Sequence, residues 1–398
     1  MSTQETKLKA IADAIREKEG SAEPIPASDF PDRIRAISSM PEGMHEISVT
    51  SSDDSMGAVA GGGMASEGML VTVSATPLNG NEFEAWKEDG TVVSEDMRYT
   101  FNVIKERALT ASFLEFILMW TASTMPSSTG WSSATYGNGK FVAVAYDSNK
   151  AAYSDDGINW TASTLPSSTR WQSVAYGNGK FVAVSDGRTA AYSIDGIKWA
   201  ATTMPSYVGW RSVTYGNGKF VAVAYDSNKA AYSDDGINWT STNIFSSSKY
   251  WVGVTFGAGK FVAVAEGFAF SVYSKDGIMW ERADADIPSS GLNWKSIAYG
   301  NGVFVVISEF DKAAYSEDGV EWEVSALPLL GRWNSISYGN KKFVIVAGSN
   351  GKSAFSADGT SWSDSSLPSV ANWSSVAYGN GKFVAIAKNG SMAAYALA

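Results

Sequence analysis

Few residues in this chain can do chemistry. It has 398 residues, one histidine (His45) and no cysteine. Thiol catalysis, thiolate metal sites and disulfides are excluded. His45 has no histidine or cysteine partner with which to hold zinc, and no D-x-D-x-D-G calcium loop occurs. Stretches such as Gly137-Asn-Gly-Lys140 imitate a phosphate loop. That loop needs G-x-x-x-x-G-K-[ST] running into a helix, whereas here the lysine precedes Phe-Val-Ala-Val. No cofactor is expected. What remains is a set of rings, guanidiniums, carboxylates and amides at positions that differ between copies of a repeat. The residue before a recurrent tryptophan is Gly130, Arg170, Gly209, Tyr250, Asn293, Arg332 or Asn372. The residue after it is Ser132, Gln172, Arg211, Val252, Lys295, Asn334 or Ser374. A second variable loop carries Tyr146-Asp147, Ser185-Asp186, Tyr225-Asp226, Phe268 and Phe310. Flat rings suit sugar faces, while amides and guanidiniums suit hydroxyls and anions. The candidate ligand residues are Arg170, Arg211, Tyr250, Asn293, Arg332, Asn372, Tyr146, Asp147, Tyr225, Asp226, Phe268 and Phe310.

The elements that must hold these groups follow from the repeat. A tyrosine-glycine position recurs at Tyr136, Tyr176, Tyr215, Phe256, Tyr299, Tyr338 and Tyr378, in steps of 40, 39, 41, 43, 39 and 40 residues. A fixed period of that length with strand patterning inside it marks a propeller or array. One unit reads as four strands: Trp131 to Tyr136, Lys140 to Ala145, Lys150 to Ser154 and Ile158 to Ser163. Gly137-Asn138-Gly139 turns between the first two and Asp155-Asp156-Gly157 between the last two. Both faces of the second strand are apolar, so it is expected to be buried on both sides. Of 15 tryptophans, all but Trp86 fall in two slots per repeat, which reads as core. The last repeat stops after its third strand, and an orphan fourth strand, Phe116 to Trp120, precedes the first repeat. That strand is expected to complete the last blade and close the ring, removing exposed edges. The fold class is therefore mainly β: a seven-bladed propeller of four-stranded blades over residues 116–398. By topology the Asn-Gly and Asp-Gly turns share one face and the variable connections share the other, where recognition usually sits.

The turn Ser154-Asp-Asp-Gly-Ile-Asn-Trp160 recurs from Ser193, Ser233, Ser274, Ser316 and Ser356. It resembles the Asp-box of sialidase-like and sortilin-like propellers, one residue shorter between Asp and Trp. The resemblance implies a structural turn away from any ligand, built on Asp156, Gly157, Asp195, Gly196, Asp235, Gly236, Asp276, Gly277, Asp318, Gly319, Asp358 and Gly359. A sialidase needs three arginines, a tyrosine–glutamate pair and an aspartate acid. The propeller arginines do not match that motif, so no catalytic residues are assigned. A glycosidase is the alternative reading.

Ahead of the propeller, residues 1–40 read as a helical anchor or oligomerisation segment. Leu8, Ile11, Ala12 and Ile15 line one face of a helix over 5–19, and a second short helix starts near Ser28. Two short amphipathic helices need a partner, such as their own copies in a trimer or a docking surface. Leu8 to Arg16, with Ile25-Pro26 and Asp29-Phe30-Pro31, resembles N-terminal segments of structural proteins of phages from Gram-positive bacteria. Residues 41–115 read as a small β-sandwich-like unit, with a loop from Ser55 to Gly68. Val73 to Pro77, Gly80, Phe83, Trp86, Asp89, Gly90, Tyr99, Phe101, Leu109, Ala111 and Phe113 resemble the bacterial repeat domain of the internalin B-repeat type, a spacer; Phe83 and Trp86 read as its core. The net charge of -10 argues against nucleic acid and anionic membranes, and no apolar run is long enough to span one. The N-terminus lacks the basic and apolar regions of a signal peptide, so synthesis in a host cytoplasm is expected. Anchor, spacer and tip together resemble a phage tail receptor-binding protein, which implies a virion location, a bacterial surface glycan as target and a tail or baseplate protein as second partner. A bacterial adhesin is the other alternative.

Overall fold

The computed structural model describes residues 43–78, 81–288, 293–328 and 331–398. The expected helices at 5–19 and from Ser28 lie outside the described residues. Two compact units meet in sequence between Glu115 and Phe116.

The first unit is all β. A five-stranded sheet runs Gly63–Ser66, Met44–Ser51, Arg107–Leu114, Glu82–Glu88, Thr91–Ser94, and a three-stranded sheet runs Gly57–Ala60, Leu70–Pro77, Arg98–Asn102. Ile47, Val73, Trp86, Leu109 and Ala111 are buried in one core, with the Phe83 and Trp86 rings 6.0 Å apart. The Ser55 to Gly68 stretch is not the expected loop. Its segment Gly63–Ser66 pairs antiparallel with Met44 to Ile47, and Gly57–Ala60 pairs with Ser74 to Pro77. Gly57 seats the Phe113 ring: a Cβ there would lie 2.1 Å from it. Gly57 is thus a close-approach position within a strand, while Gly61 and Gly62 make the connection between the two short strands.

The second unit is a β-propeller of four-stranded blades. The first repeat forms one sheet, Gly130–Gly137, Lys140–Tyr146, Ser148–Ser154 and Thr161–Thr169. The second and third repeats join into a six-stranded sheet, because Lys180–Ser193 and Ala200–Gly216 stay extended through their connections. The later repeats each give a four-stranded sheet. Phe141 to Ala145 have no exposed surface, which bears out burial of the second strand on both faces.

Two boundaries differ from expectation. The outer strand starts at Thr161, not Ile158. The Asp156 carboxylate takes the amides of Ile158 and Asn159, each at 2.8 Å, so these cannot enter the ladder. The closing strand is Trp120–Thr124, not Phe116 to Trp120, and pairs with Met392–Leu397. Residues ahead of it reach toward the sixth repeat instead. The Phe116 ring meets Phe355 edge-on at 5.0 Å, and the Leu118 carbonyl accepts the Ser365 hydroxyl at 2.6 Å.

Neighbouring blades are joined by one contact made over and over. Each tyrosine-glycine pair offers its glycine as a seat for the next repeat's aromatic ring. A Cβ at Gly137 would lie 2.0 Å from the Tyr176 ring. Gly177 seats Tyr215, Gly216 seats Phe256, Gly257 seats Tyr299, Gly300 seats Tyr338 and Gly339 seats Tyr378. Gly379 seats Tyr136 and closes the circle. Each ring also packs on its own repeat's phenylalanine, as Tyr136 does on Phe141 at 4.7 Å. The inner-strand tryptophans, Trp131 through Trp373, are fully buried. The outer set divides: Trp322 is buried, while Trp160, Trp199, Trp239, Trp280 and Trp362 are partly exposed.

Candidate ligand-binding face

The recurrent turns gather on one side. Asn178 donates from Nδ2 to the Asp234 carbonyl, Asn217 to that of Lys275 and Asn301 to that of Ala357, each at 3.2 Å. The hairpin turn of one repeat thereby grips the Ser-x-Asp-Gly turn of the next. Within each such turn the carboxylate does the holding. Asp235 Oδ1 accepts the Ser233 hydroxyl at 3.0 Å and the amides of Ile237 and Asn238 at 2.8 Å. Partial burial pushes the Asp235 carboxyl upward, but the two amides, the Asn238 side chain and the Ser233 hydroxyl outweigh it and hold it well below the usual carboxylate range. Asp156, Asp195, Asp276, Asp318 and Asp358 are lowered by the same kind of contacts. The glycine that follows is also a wedge. Gly157 has φ +74°, and a Cβ there would lie 2.7 Å from Val384 of the last repeat. Gly196, Gly236, Gly277, Gly319 and Gly359 fit against Val142, Val182, Val221, Val262 and Val305 in turn.

The opposite side is built on a bulge. In every inner strand the register slips just after the tryptophan: Trp131 pairs with Ala145 but Ser133 pairs with Val144, so Ser132 has no partner in the ladder. The same slip skips Gln172, Arg211, Val252, Lys295, Asn334 and Ser374. A bulge turns a side chain out of the pleat, and these are the variable positions. Some of the side chains are used within the wheel. Ser132 and Ser374 donate to the Trp171 and Trp131 carbonyls at 2.7 Å, and Asn334 donates to that of Trp373 at 2.8 Å.

The others make two polar chains. In the first, Arg170 faces Asp147 at 3.4 Å and Asp186 at 3.8 Å, with its guanidinium 5.8 Å from the Tyr146 ring centre. Asp186 accepts Gln172 Nε2 at 3.0 Å, and Gln172 Oε1 accepts Arg211 Nη1 at 2.8 Å. In the second, the Tyr225 hydroxyl donates to Glu266 at 3.3 Å. Lys295 bridges Glu266 at 2.8 Å and Glu309 at 3.3 Å, and Asn293 reaches Glu309 at 3.5 Å. Burial and the adjacent Glu266 carboxylate raise the Tyr225 phenol above its ordinary value. Tyr225 stacks on Tyr250 at 4.9 Å, and both are substantially exposed.

Of the sequence-derived candidates, Tyr146, Asp147, Arg170, Arg211, Tyr225, Tyr250 and Asn293 thus belong to these two chains. The Asn372 side chain accepts from Asn334 at 3.4 Å and joins neither chain. Phe268 lies under the Lys249 ammonium at 4.7 Å and packs against a core cluster. Asp226 is an exposed turn residue at φ 51°. Phe310 and Arg332 are exposed, and neither joins the chains. Sequence reasoning missed Tyr207, at 85% the most exposed of the large apolar side chains among the described residues. A signal was present: three residues before the tryptophan, where Ser128 and Ser168 stand in other repeats, this one has a tyrosine. Tyr207 and Arg170 border a cleft of 490 Å³, and Arg211 and Tyr225 border a second of 300 Å³.

With the architecture established, the class of protein is a β-propeller. Virginiamycin B lyase from Staphylococcus aureus is similar in structure at 13% identity and TM-score 0.64, covering 71% of this chain and 100% of the lyase. YCF48 from Cyanidioschyzon merolae gives 14% identity and TM-score 0.55 over 69% of this chain and 98% of its own. The Cps50 (Swd1) β-propeller domain of Myceliophteria thermophila gives 7% and 0.55 over 70% and 100%. At these identities the likeness concerns the fold alone. More particularly, residues 47–115 match the family described as the divergent InlB B-repeat domain. No curated protein matches the chain.

Proposed function

We propose that this chain is a phage tail receptor-binding protein whose propeller binds a bacterial surface glycan through the bulged face. We count the six-stranded sheet as two blades, which makes seven, and read the Ser-x-Asp-Gly turns as shortened Asp-boxes. Residues 1–40 serve as the tail-docking and oligomerising segment, and the B-repeat unit is the spacer. The observation that carries the reading is the division of labour between the faces. One side repeats the same turn contacts from blade to blade, while the other presents rings, amides and charges that vary among the blades. The resemblance of residues 8–31 to phage structural proteins supports the tail assignment.

The test is retention of the fluorescently labelled full chain on cell-wall sacculi from a panel of Gram-positive species, with and without periodate oxidation of the glycans. Binding should disappear after periodate and weaken in Arg211→Ala and Tyr225→Ala, with thermal melting unchanged. It should persist in Lys219→Ala, on the turn side. Binding that survives periodate, or that Lys219→Ala and Arg211→Ala reduce equally, would end the proposal.

A further inference from the structure

We infer that the cleft beside Tyr207 is a subsite for a single pyranose ring that carries no negative charge. This deepens the reading of that face as glycan-binding and rests on it. Tyr207 is an exposed aromatic ring that passes beside a glycine. Its strand runs beside the loop at Gly187, where Val208 pairs with Gly187 and Gly209 with Asp186. A Cβ at Gly187 would come within 3.3 Å of the Tyr207 ring, so any larger residue would crowd its seat. A tyrosine ring, with only two side-chain torsions to fix, offers a flat apolar face at low conformational-entropy cost. The C–H face of a pyranose is the partner that such a ring fits.

The groups around the ring suit hydroxyls. Asp147, Thr169, Arg170 and Asp186 line the same cleft. Arg170 is 57% exposed, and its contacts to Asp147 and Asp186 are long, at 3.4 and 3.8 Å. A fork of five donors held this loosely keeps N–H groups for an incoming oxygen. Asp186 is oriented from behind by Gln172 at 3.0 Å, which leaves its other oxygen toward the cleft and Arg170. Charge then narrows the class. Two carboxylates stand against one guanidinium, so an anionic sugar meets net repulsion. An ammonium sugar carries the sign that the two carboxylates attract, so charge does not exclude it. A neutral pyranose, N-acetylated or not, meets donors and acceptors without a charge penalty.

Saturation-transfer NMR on the full chain tests this with six probes: the methyl glycosides of glucose, galactose and mannose, N-acetylglucosamine, glucosamine and N-acetylneuraminic acid. At least one probe without negative charge should receive transfer, strongest on its C–H face. Its affinity should fall about tenfold in Tyr207→Ala and stay within about twofold in Tyr207→Phe. Tyr207 is exposed, so melting temperature should not move in either variant. Tighter binding of N-acetylneuraminic acid than of every other probe would overturn the charge argument. Full-chain capture of sacculi that Tyr207→Ala leaves intact, or no transfer to any probe at about 10 mM, would overturn the subsite and leave the face standing. Failure of the wild-type chain to bind any sacculus would remove the face reading and the subsite with it.

Discussion

Replacing Gly257 with alanine puts a methyl group into the Tyr299 ring. The new Cβ would lie 2.0 Å from Cγ of that ring and 2.3 and 2.4 Å from its two Cδ atoms. Carbon atoms pack at about 3.5–4.0 Å, so the ring must retreat by roughly 1.5 Å. It has little room. Phe304 holds it from its own blade at 4.6 Å between ring centres, and Gly300, one residue along, already seats Tyr338. A forced shift is therefore passed to the next joint. Overpacking of this kind costs about 1–3 kcal/mol, and a rigid surround argues for the upper end. Gly257 has no positive φ, so the cost is contact and not backbone strain. The assay is urea unfolding of the full chain followed by tryptophan fluorescence, as a double-mutant cycle with Tyr299→Ala. Gly257→Ala should lose about 3 kcal/mol in the wild-type background and less than about 0.5 kcal/mol once the ring is gone. An equal loss in both backgrounds, or none in either, would refute the ring-on-glycine joint.

Three further outcomes follow from the same contacts. The Asp235 carboxyl sits below the ordinary aspartate value of 3.8 in the folded chain. The turn therefore contributes stability above that pH and loses it as pH falls through the folded value. Asp235→Asn should be less stable by about 1–2 kcal/mol at neutral pH, a deficit that shrinks as pH drops below about 4; a pH-independent deficit in chemical denaturation would contradict this. Trp322 Nε1 donates to Ser271 of the preceding repeat at 3.0 Å, and Trp120 Nε1 donates to Ser353 at 2.9 Å. The equivalent partners of Trp160, Trp199, Trp239 and Trp280 are Ala393, Ala151, Ala190 and Ala230, and these four indoles have no hydrogen-bond partner among the described residues. Ala190→Ser should supply one to Trp239 and stabilise by about 1 kcal/mol; a lower melting temperature would refute it. Deleting residues 116–124 leaves Met392–Leu397 as an open edge, so melting temperature should fall and sedimentation should report self-association; a monomer with unchanged melting would show that the strand does not close the ring.

The propeller was legible because its signals are local and repeated. Asn-Gly turns, Asp-Gly turns and the doubly apolar second strand each need only a few adjacent residues to declare themselves. The tyrosine-glycine pair was legible as a landmark, but its purpose was not, since the ring and the glycine that seats it belong to different repeats some 40 residues apart. The start of the outer strand was misjudged for a related reason: Ile158 looks like a strand residue until the Asp156 carboxylate claims its amide. On the candidate face, sequence marked the variable positions but could not separate roles. Ser132 and Asn334 occupy the same slot as Arg211, yet their side chains bind the neighbouring inner strand. Tyr207 escaped notice because it varies in a slot where most repeats carry small residues. The bulge that unites these positions is a register slip, invisible without the pairing.

Because every junction in the wheel uses the same aromatic seat, the one that closes it included, this joint ties no blade to a particular neighbour. A segment copied or exchanged between repeats arrives with both of its couplings intact, and whatever its variable side carries travels with it. Near-identical tracts such as Gly216 to Tyr225 and Gly137 to Tyr146 also invite pairing between misaligned gene copies. One recombination event can thus remodel the contact surface wholesale, while the requirement to close the circle discards products with a fractional number of modules.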